Sequence, residues 1–366
     1  MLSATAVAVT GGFAALPACS PSADRMTYEE AQRQTWHSTE DAPADRSALM
    51  LELVRCATLA ASSHNTQCWQ FRFDERAISI LPDLTRRCPA VDPDDHHLFV
   101  SLGCAAENLV QAARAYGMNG EARFVASADG GVRVTLEPTA AVPSPLFEAI
   151  PRRQCTRAEF DGQPISNTDL KLLEQAGTGS GVRVMLITER PAMESVLAHV
   201  VQANSAQMND PAFVEELKSW IRFSDDEAVA TSDGLFSRTS GNPSVPRWLG
   251  SPLFRVFFRE ARENDKYAKH IRSSSGIAVF APDSSSSSGK AHWVETGRCY
   301  ERFALQATAL GIRHAHLNQP VEVSALRPQF AASLGLNGQR PDLVVRFGRG
   351  SESPRSLRRP VQAVLV

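Results

Sequence analysis

The chain contains no C-x-x-C pair, no Gly-rich phosphate loop after a strand and no G-x-S-x-G turn. These absences exclude, in that order, a zinc ribbon, a Rossmann dinucleotide domain and a hydrolase nucleophile elbow. Beyond residue 20 no apolar run is long enough for a spanning helix. Charge of one sign is also lacking: 38 Lys and Arg face 40 Asp and Glu, a net charge of -2. Nothing in that balance points to nucleic acid or an anionic membrane as partner. Cysteine is sparse and irregular. The seven, at 19, 56, 68, 88, 104, 155 and 299, read as buried thiols rather than a disulfide framework.

Metal-ligand patterns are missing as well. His96 and His97 are adjacent, which turns their side chains apart on a helix, while His314 and His316 flank Ala315 and can share a strand face. Neither pair has a clear carboxylate or Cys partner in sequence, so no metal site is expected.

Residues 1–25 are set apart from the fold. The stretch "LSATAVAVTGGFAALPAC" is small and apolar and ends in a lipoprotein-type box, Leu16-Pro17-Ala18-Cys19, without the positive n-region of an export signal. The expectation is export with a lipid anchor at Cys19, and a cytoplasmic protein if that segment is no signal.

What is present reads as α+β. Residues 46–60 have helical apolar spacing, and "CWQFRFD" and "RAISILPD" alternate like strands. A long helix runs through "HHLFVSLGCAAENLVQAARAYGM" to Gly117, and "ARFVAS" with "GVRVTLEP" makes a hairpin. A second cycle opens near residue 147 with the capped helix "NTDLKLLEQAG" and the strand "GVRVMLIT". The buried-type strand "SSGIAVFAP", the serine loop 284–289, the helix "VETGRCYERFALQATALGI" and the strand "PDLVVRFGRG" follow. Domains are expected at 26–146 and 147–366, with a helical insertion at 190–265 that either packs a local layer or acts as a lid. Gly103 stands fourteen positions before Gly117, and Gly297 fourteen before Gly311. An early helix Gly costs up to about 1 kcal/mol relative to Ala. A close contact between two duplicated helices would offset that cost.

The loop "ASSHNTQCWQF", residues 61–71, crowds short neutral hydrogen-bonding groups beside a large aromatic. It resembles the flavin loop of the FMN-dependent nitroreductase family, Pro-Ser-Ser/Ala-x-Asn-x-Gln-Pro-Trp-x-Phe. "IPRRQCTRAEFDGQPIS", 150–166, resembles that family's Arg-Arg-x-Ser-x-Arg signature, and "PRSLRRPVQAVLV", 354–366, its basic C-terminal segment. In the ordinary family the Arg signature precedes the Ser/Asn loop. Here it follows, as in the two-domain, Acg-like branch, where one chain mimics the homodimer.

The resemblance implies a nitroreductase-like fold duplicated within one chain, with mixed or antiparallel sheets flanked by helices. It implies one FMN per chain, because the second half has "AGTGSGVRV" where a Ser/Asn loop would stand. Ser62, Ser63 and Asn65 would meet the flavin's polar edge and Gln67 would support the loop, with Trp69 as a core anchor. Arg153 and Arg157 would hold the phosphate, joined by Arg358 and Arg355. Cys155 stands where the family has Ser, and Cys68 where it has Pro. Lys269 or His270 would reach the ribityl chain, and Asn318 and Gln319 would lie near the reactive ring edge. The activity implied is reduction of a small nitroaromatic or quinone-like acceptor by NAD(P)H, with no side chain singled out as catalytic. The alternatives are flavin sequestration without turnover, and flavin fragmentation or reductive dehalogenation.

Overall fold

Two antiparallel sheets, each carried on one long helix, meet across the pair of helices. The computed structural model describes residues 26–39, 43–283, 289–336 and 338–366. The apolar segment with Cys19 and the serine run 284–288 lie outside the described residues.

The first sheet holds β1 (Trp69–Phe73), β2 (Ala77–Pro82), β3 (Met118–Phe124) and β4 (Val132–Pro138) in the order β1-β2-β4-β3. Beyond it lie β5 (Val182–Ile187), the two-residue parallel pair β6 (Ile221–Arg222) and β7 (Leu235–Phe236), then β8 (Gly276–Pro282), β9 (Arg313–His316) and β10 (Leu343–Gly348). The second sheet has the order β5-β8-β10-β9. Neighbours in both four-stranded sheets are antiparallel throughout. Every residue of β8 and β10 is buried; β8 reads as a continuous apolar run, whereas β10 carries the buried Arg346 within it.

The helices His96–Ala115 and Lys290–Ala309 form the centre. One core cluster joins them to both sheets through Leu102, Leu109, Phe303, Leu305, Ile80 and Val345. They approach through the glycines that the sequence repeat singles out. A Cβ on Gly103 would lie 2.0 Å from the carbonyl oxygen of Val294, and one on Gly297 1.9 Å from that of Val100. The two helices thus cross reciprocally, each glycine against the other helix's backbone.

Chain crossovers bring the site together. Ser166 caps the helix Asn167–Gly177 by accepting from Asp169 N at 3.1 Å, as its sequence suggests. The C-terminal arm returns to the first sheet, where Val366 N donates to Phe71 O at 3.0 Å. The segment 190–265 is not one separate layer. Its helix Arg190–Met208 places Met193, Val196, Leu197 and Val200 in a core with Ile277 and Val344 of the second sheet. No helix among the described residues is long and apolar enough to cross a membrane.

Candidate functional site

The loop after the helix Arg46–Thr58 is held in an unusual backbone. His64, Asn65 and Gln67 have φ of 48°, 52° and 52°. Left-handed geometry suits Asn more than most residues because its short amide bonds locally. Here the amide bonds distantly instead: Asn65 Nδ2 donates to Gly234 O at 3.0 Å and to Leu357 O at 3.1 Å. Its Oδ1 is buried without a hydrogen-bond partner. Ser62 Oγ accepts from Gln67 N at 3.1 Å. Gln67 is fully buried, donates to Ser232 O at 2.9 Å and accepts from Arg359 N at 2.7 Å. It braces the loop and lines neither of the two cavities beside it. Trp69 is fully buried.

Arg153, Cys155, Arg157, Arg355 and Arg358 converge on a cleft of about 80 Å³ that also contains Ser62 and Asn65. Four guanidinium groups and no carboxylate line it. Behind Arg153 lies Glu301, its carboxylate 2.9 Å from Arg153 Nε; both residues are buried. The contact is off-line for a hydrogen bond, so it is an ion pair. Burial pushes the Glu301 carboxyl up, and Arg153 opposes that. Arg358 spends its donors on the carbonyls of Thr58, Leu59, Ala60, Ser356 and Leu357. Burial, then repulsion from Arg153 and Arg355, lowers its pKa to about 9. Arg355 donates to Pro151 O and Arg152 O. Trp36 packs its ring under both, 5.3 Å from Arg355 and 4.8 Å from Arg358. Arg157 differs from the other three: half-buried, it makes no hydrogen bond or ion pair with any described residue.

A larger cavity of about 930 Å³ adjoins this cleft and shares Ala61, Ser62, Cys155, Arg157, Leu235 and His316 with it. Ser63, Lys269, His270, Asn318 and Gln319 all line the larger space. Of the candidate residues, then, only Gln67 stands back from both. Gln319 donates to the Tyr267 hydroxyl, leaving its Oε1 buried and unpartnered. Sequence reasoning missed Gln154, whose Nε2 is buried and unpartnered at the cleft, and Tyr267; no spacing signal marks either. His314 and His316 do share a face of β9, both rings lying against Tyr300. His316 opens on both cavities, and burial lowers its pKa to about 3.

The His96–His97 pair corrects an expectation. The rings do not diverge: their centroids are 4.7 Å apart, at the helix start. Asp92, in the adjacent run "DPDDHH", and Asp342, brought by the fold, supply the carboxylates. Asp92 Oδ1 is 3.5 Å from His97 Nδ1, and Asp342 accepts from His96 at 3.1 Å and from His292 at 2.9 Å. Asp92, His96 and His97 are thus a donor group of metal-binding type. Asn318 decides how His97 is protonated. Its Oδ1 accepts from Val344 N at 2.9 Å, so its Nδ2 donates to His97 Nε2 at 3.3 Å. The His97 proton therefore sits on Nδ1, facing Asp92. A metal at Nδ1 would move that proton to Nε2, against the Asn318 amide hydrogens. Burial lowers the His97 pKa, but Asp92 more than restores it, and the net direction is upward.

No family model matches the chain. Two Mycobacterium tuberculosis proteins, of strains CDC 1551 / Oshkosh and ATCC 25618 / H37Rv, carry the provisional name NAD(P)H nitroreductase. Each is 25% identical over 319 residues, 84% of this chain and 86% of the relative. Over most of its length the chain is thus similar to proteins of the nitroreductase superfamily. Solved structures give a weaker likeness. A nitroreductase with bound FMN from Desulfitobacterium hafniense DCB-2 matches at TM-score 0.37 and 15% identity, covering 58% of this chain and 94% of that one. The FMN-dependent nitroreductase NfnB from Mycobacterium smegmatis, in complex with NADPH, matches at TM-score 0.36 and 13% identity, covering 57% and 88%. Overlaps this low carry no conclusion about ligand.

Proposed function

We propose that the protein is an FMN-dependent oxidoreductase that takes reducing equivalents from NAD(P)H and passes them to a small nitroaromatic or quinone-like acceptor. One observation carries the reading. Four guanidinium groups converge on a cleft with a single buried carboxylate, Glu301, behind them, beside a cavity of the size small-molecule sites have. A phosphate of about two negative charges balances that excess. Unpartnered buried atoms fit the rest: Asn65 Oδ1, Gln154 Nε2 and Gln319 Oε1 are neutral groups left to hydrogen-bond a ligand.

FMN, when bound, supplies the hydride chemistry. The chain supplies binding, orientation and exclusion of water. Arg157, with Arg153 behind it, attracts the phosphate. Ser62, Ser63 and Asn65 orient the polar ring edge. Phe223, Phe254, Phe257 and Phe258 line the outer cavity and keep it dry.

The reading extends to one FMN per chain, held between two halves that mimic a dimer, as in the Acg-like branch. The divisions at 26–146 and 147–366 belong to this proposal, as does export with a lipid anchor at Cys19. The absorption spectrum of the purified protein tests it, together with FMN titration and NAD(P)H oxidation with and without a quinone. One FMN per chain and acceptor-dependent oxidation are expected. A colourless protein that binds no FMN would overturn the reading, and two equivalent FMN sites would overturn the pseudo-dimer.

A further inference from the structure

Five of the six described cysteines are buried. Cys56 and Cys299 donate to carboxylates on their own helices, Cys68 and Cys104 donate to the carbonyls of Leu98 and Gly297, and Cys88 packs with Val91 and Phe213. Burial pushes all five thiols up, Cys68 to about 11 and Cys299 to about 12. Buried thiols of this kind are inert. Cys155 departs from the pattern. It is half-buried, makes no hydrogen bond with any described residue, and lines both the small cleft and the large cavity.

Its surroundings are cationic. Arg153, Arg157, Arg355 and Arg358 line the cleft with it, and no carboxylate does. A neighbouring amide points to a ligand independently of that charge. Gln154 is 7% exposed, and its Oε1 accepts from Ser353 N at 2.9 Å and from Thr156 Oγ1 at 3.3 Å. Its Nε2 is left at the cleft, buried and without a partner. A buried donor is costly unless an acceptor meets it. The backbone that carries the thiol is fixed. Thr156 N donates to His314 O at 2.9 Å, and Arg346 donates to Thr156 O at 3.1 Å and to Ala158 O at 2.7 Å. Reactive cysteines have in common a part-exposed thiol in electropositive surroundings.

We infer that Cys155 is the oxidisable thiol of this cleft, and that its oxidation by hydrogen peroxide puts an anion into the cleft and excludes the FMN phosphate. The sulfur bonds to one peroxide oxygen as the O–O bond breaks, and the other oxygen leaves with the thiol proton as water. The product is the sulfenic acid. A second peroxide transfers a second oxygen in the same way and gives the sulfinic acid, each peroxide being reduced to water. The sulfinate takes up Arg157 and the Gln154 amide, the donors that no described residue uses, and its charge repels a phosphate. Bound FMN covers the thiol, so oxidation falls on the empty protein. The exclusion of FMN rests on the reading of the cleft given above; the reactivity of the thiol does not.

The test treats the full chain, in its apo form, with hydrogen peroxide and weighs each cysteine peptide by mass spectrometry. Cys155 should gain oxygen at least about ten-fold faster than the five buried cysteines, and saturating FMN should slow it by a similar factor. The oxidised protein should bind FMN at least about ten-fold more weakly, the loss of a charge-assisted bond or more. Cys155→Ser should bind FMN equally before and after peroxide, which assigns the loss to this sulfur rather than to another oxidisable residue. Cys155→Asp, which carries a fixed anion without peroxide, should show the same deficit while melting near wild type. Oxidation spread evenly over the cysteines, or no protection by FMN, would overturn the proposal. Full FMN affinity after complete oxidation of Cys155 would overturn it too, with the reading of the cleft intact. Failure of the untreated chain to bind FMN would instead overturn that reading, and the exclusion of FMN with it.

Discussion

Gly103 and Gly297 occupy equivalent positions on the two central helices, and each leaves room only for the other helix's backbone. A Cβ at Gly103 would stand 2.0 Å from Val294 O, and one at Gly297 1.9 Å from Val100 O. Neither obstacle is a side chain that can swing away. Gly103→Ala should therefore destabilise by up to about 2 kcal/mol, since overpacking of about 1–3 kcal/mol is partly offset by a helix-propensity gain of about 1 kcal/mol. Once the helices have separated, Gly297→Ala should add less than its cost alone, because the two sites share one contact. Urea unfolding of both single variants and the double variant measures this. Strict additivity would mean that the glycines do not act through a common crossing.

That crossing was legible in the sequence because a glycine inside an apolar helix is locally costly, so its repetition at equal spacing has a packing reason. The loop 61–67 was legible through residue types alone. The ion-pair logic was not. Glu301 lies on a helix far along the chain, and nothing in "RCYERFALQ" marks it as the counter-charge of Arg153. Asp342 likewise reaches His96 and His292 only through the fold. His96 and His97 do not diverge, because each ring is held from outside the helix, His97 beside Asp92 and His96 by Asp342.

Acid should destabilise the protein well above the carboxylate range. Burial lowers the pKa of His64 and His96 to about 4, and of His270 and His316 to about 3. In the unfolded chain these groups titrate near about 6.5. Between the two values the unfolded state binds more protons, so stability rises with pH. Their contribution is complete above about pH 6.5 and is lost as pH falls toward the folded values. His97 and the carboxyls of Glu216, Glu301 and Glu322, all shifted upward, oppose the four imidazoles. Urea midpoints should fall between pH 7.5 and pH 5, and His270→Leu should make the slope shallower. A flat profile would mean that these imidazoles are hydrated.

Asn65 and Ser63 separate loop shape from ligand contact. Asn65→Leu removes two donors to backbone carbonyls and forces a branched side chain to φ 52°. Apo-protein stability should fall by about 2 kcal/mol or more, and FMN affinity should fall with it. The Ser63 hydroxyl has no partner among the described residues and lines the large cavity. Ser63→Ala should leave apo stability within about 0.5 kcal/mol and weaken FMN by roughly three- to ten-fold, the loss of one ordinary hydrogen bond. Unchanged FMN affinity would remove Ser63 from the site.

Arg153 and Arg157 share one signature but should respond oppositely to truncation. Arg153 is 2% exposed and pairs with Glu301. Arg153→Ala strands that carboxylate in the interior, and breaking a buried pair costs about 3–5 kcal/mol. Loss of FMN binding by this variant would therefore report folding as much as phosphate recognition. The companion Arg153→Ala, Glu301→Gln removes the stranded charge and should recover most of the stability. Arg157 has no described partner to strand, so Arg157→Ala should melt within about 0.5 kcal/mol of wild type. It should weaken FMN by roughly ten- to a hundred-fold, the worth of about 1.5–3 kcal/mol for a charge-assisted bond. Riboflavin, which lacks the phosphate, should bind the Arg157 variant almost as it binds wild type. Equal loss for both ligands would move Arg157 from the phosphate to the ring. No loss for either would leave the four-arginine cleft without its anion, and with it the main support for FMN.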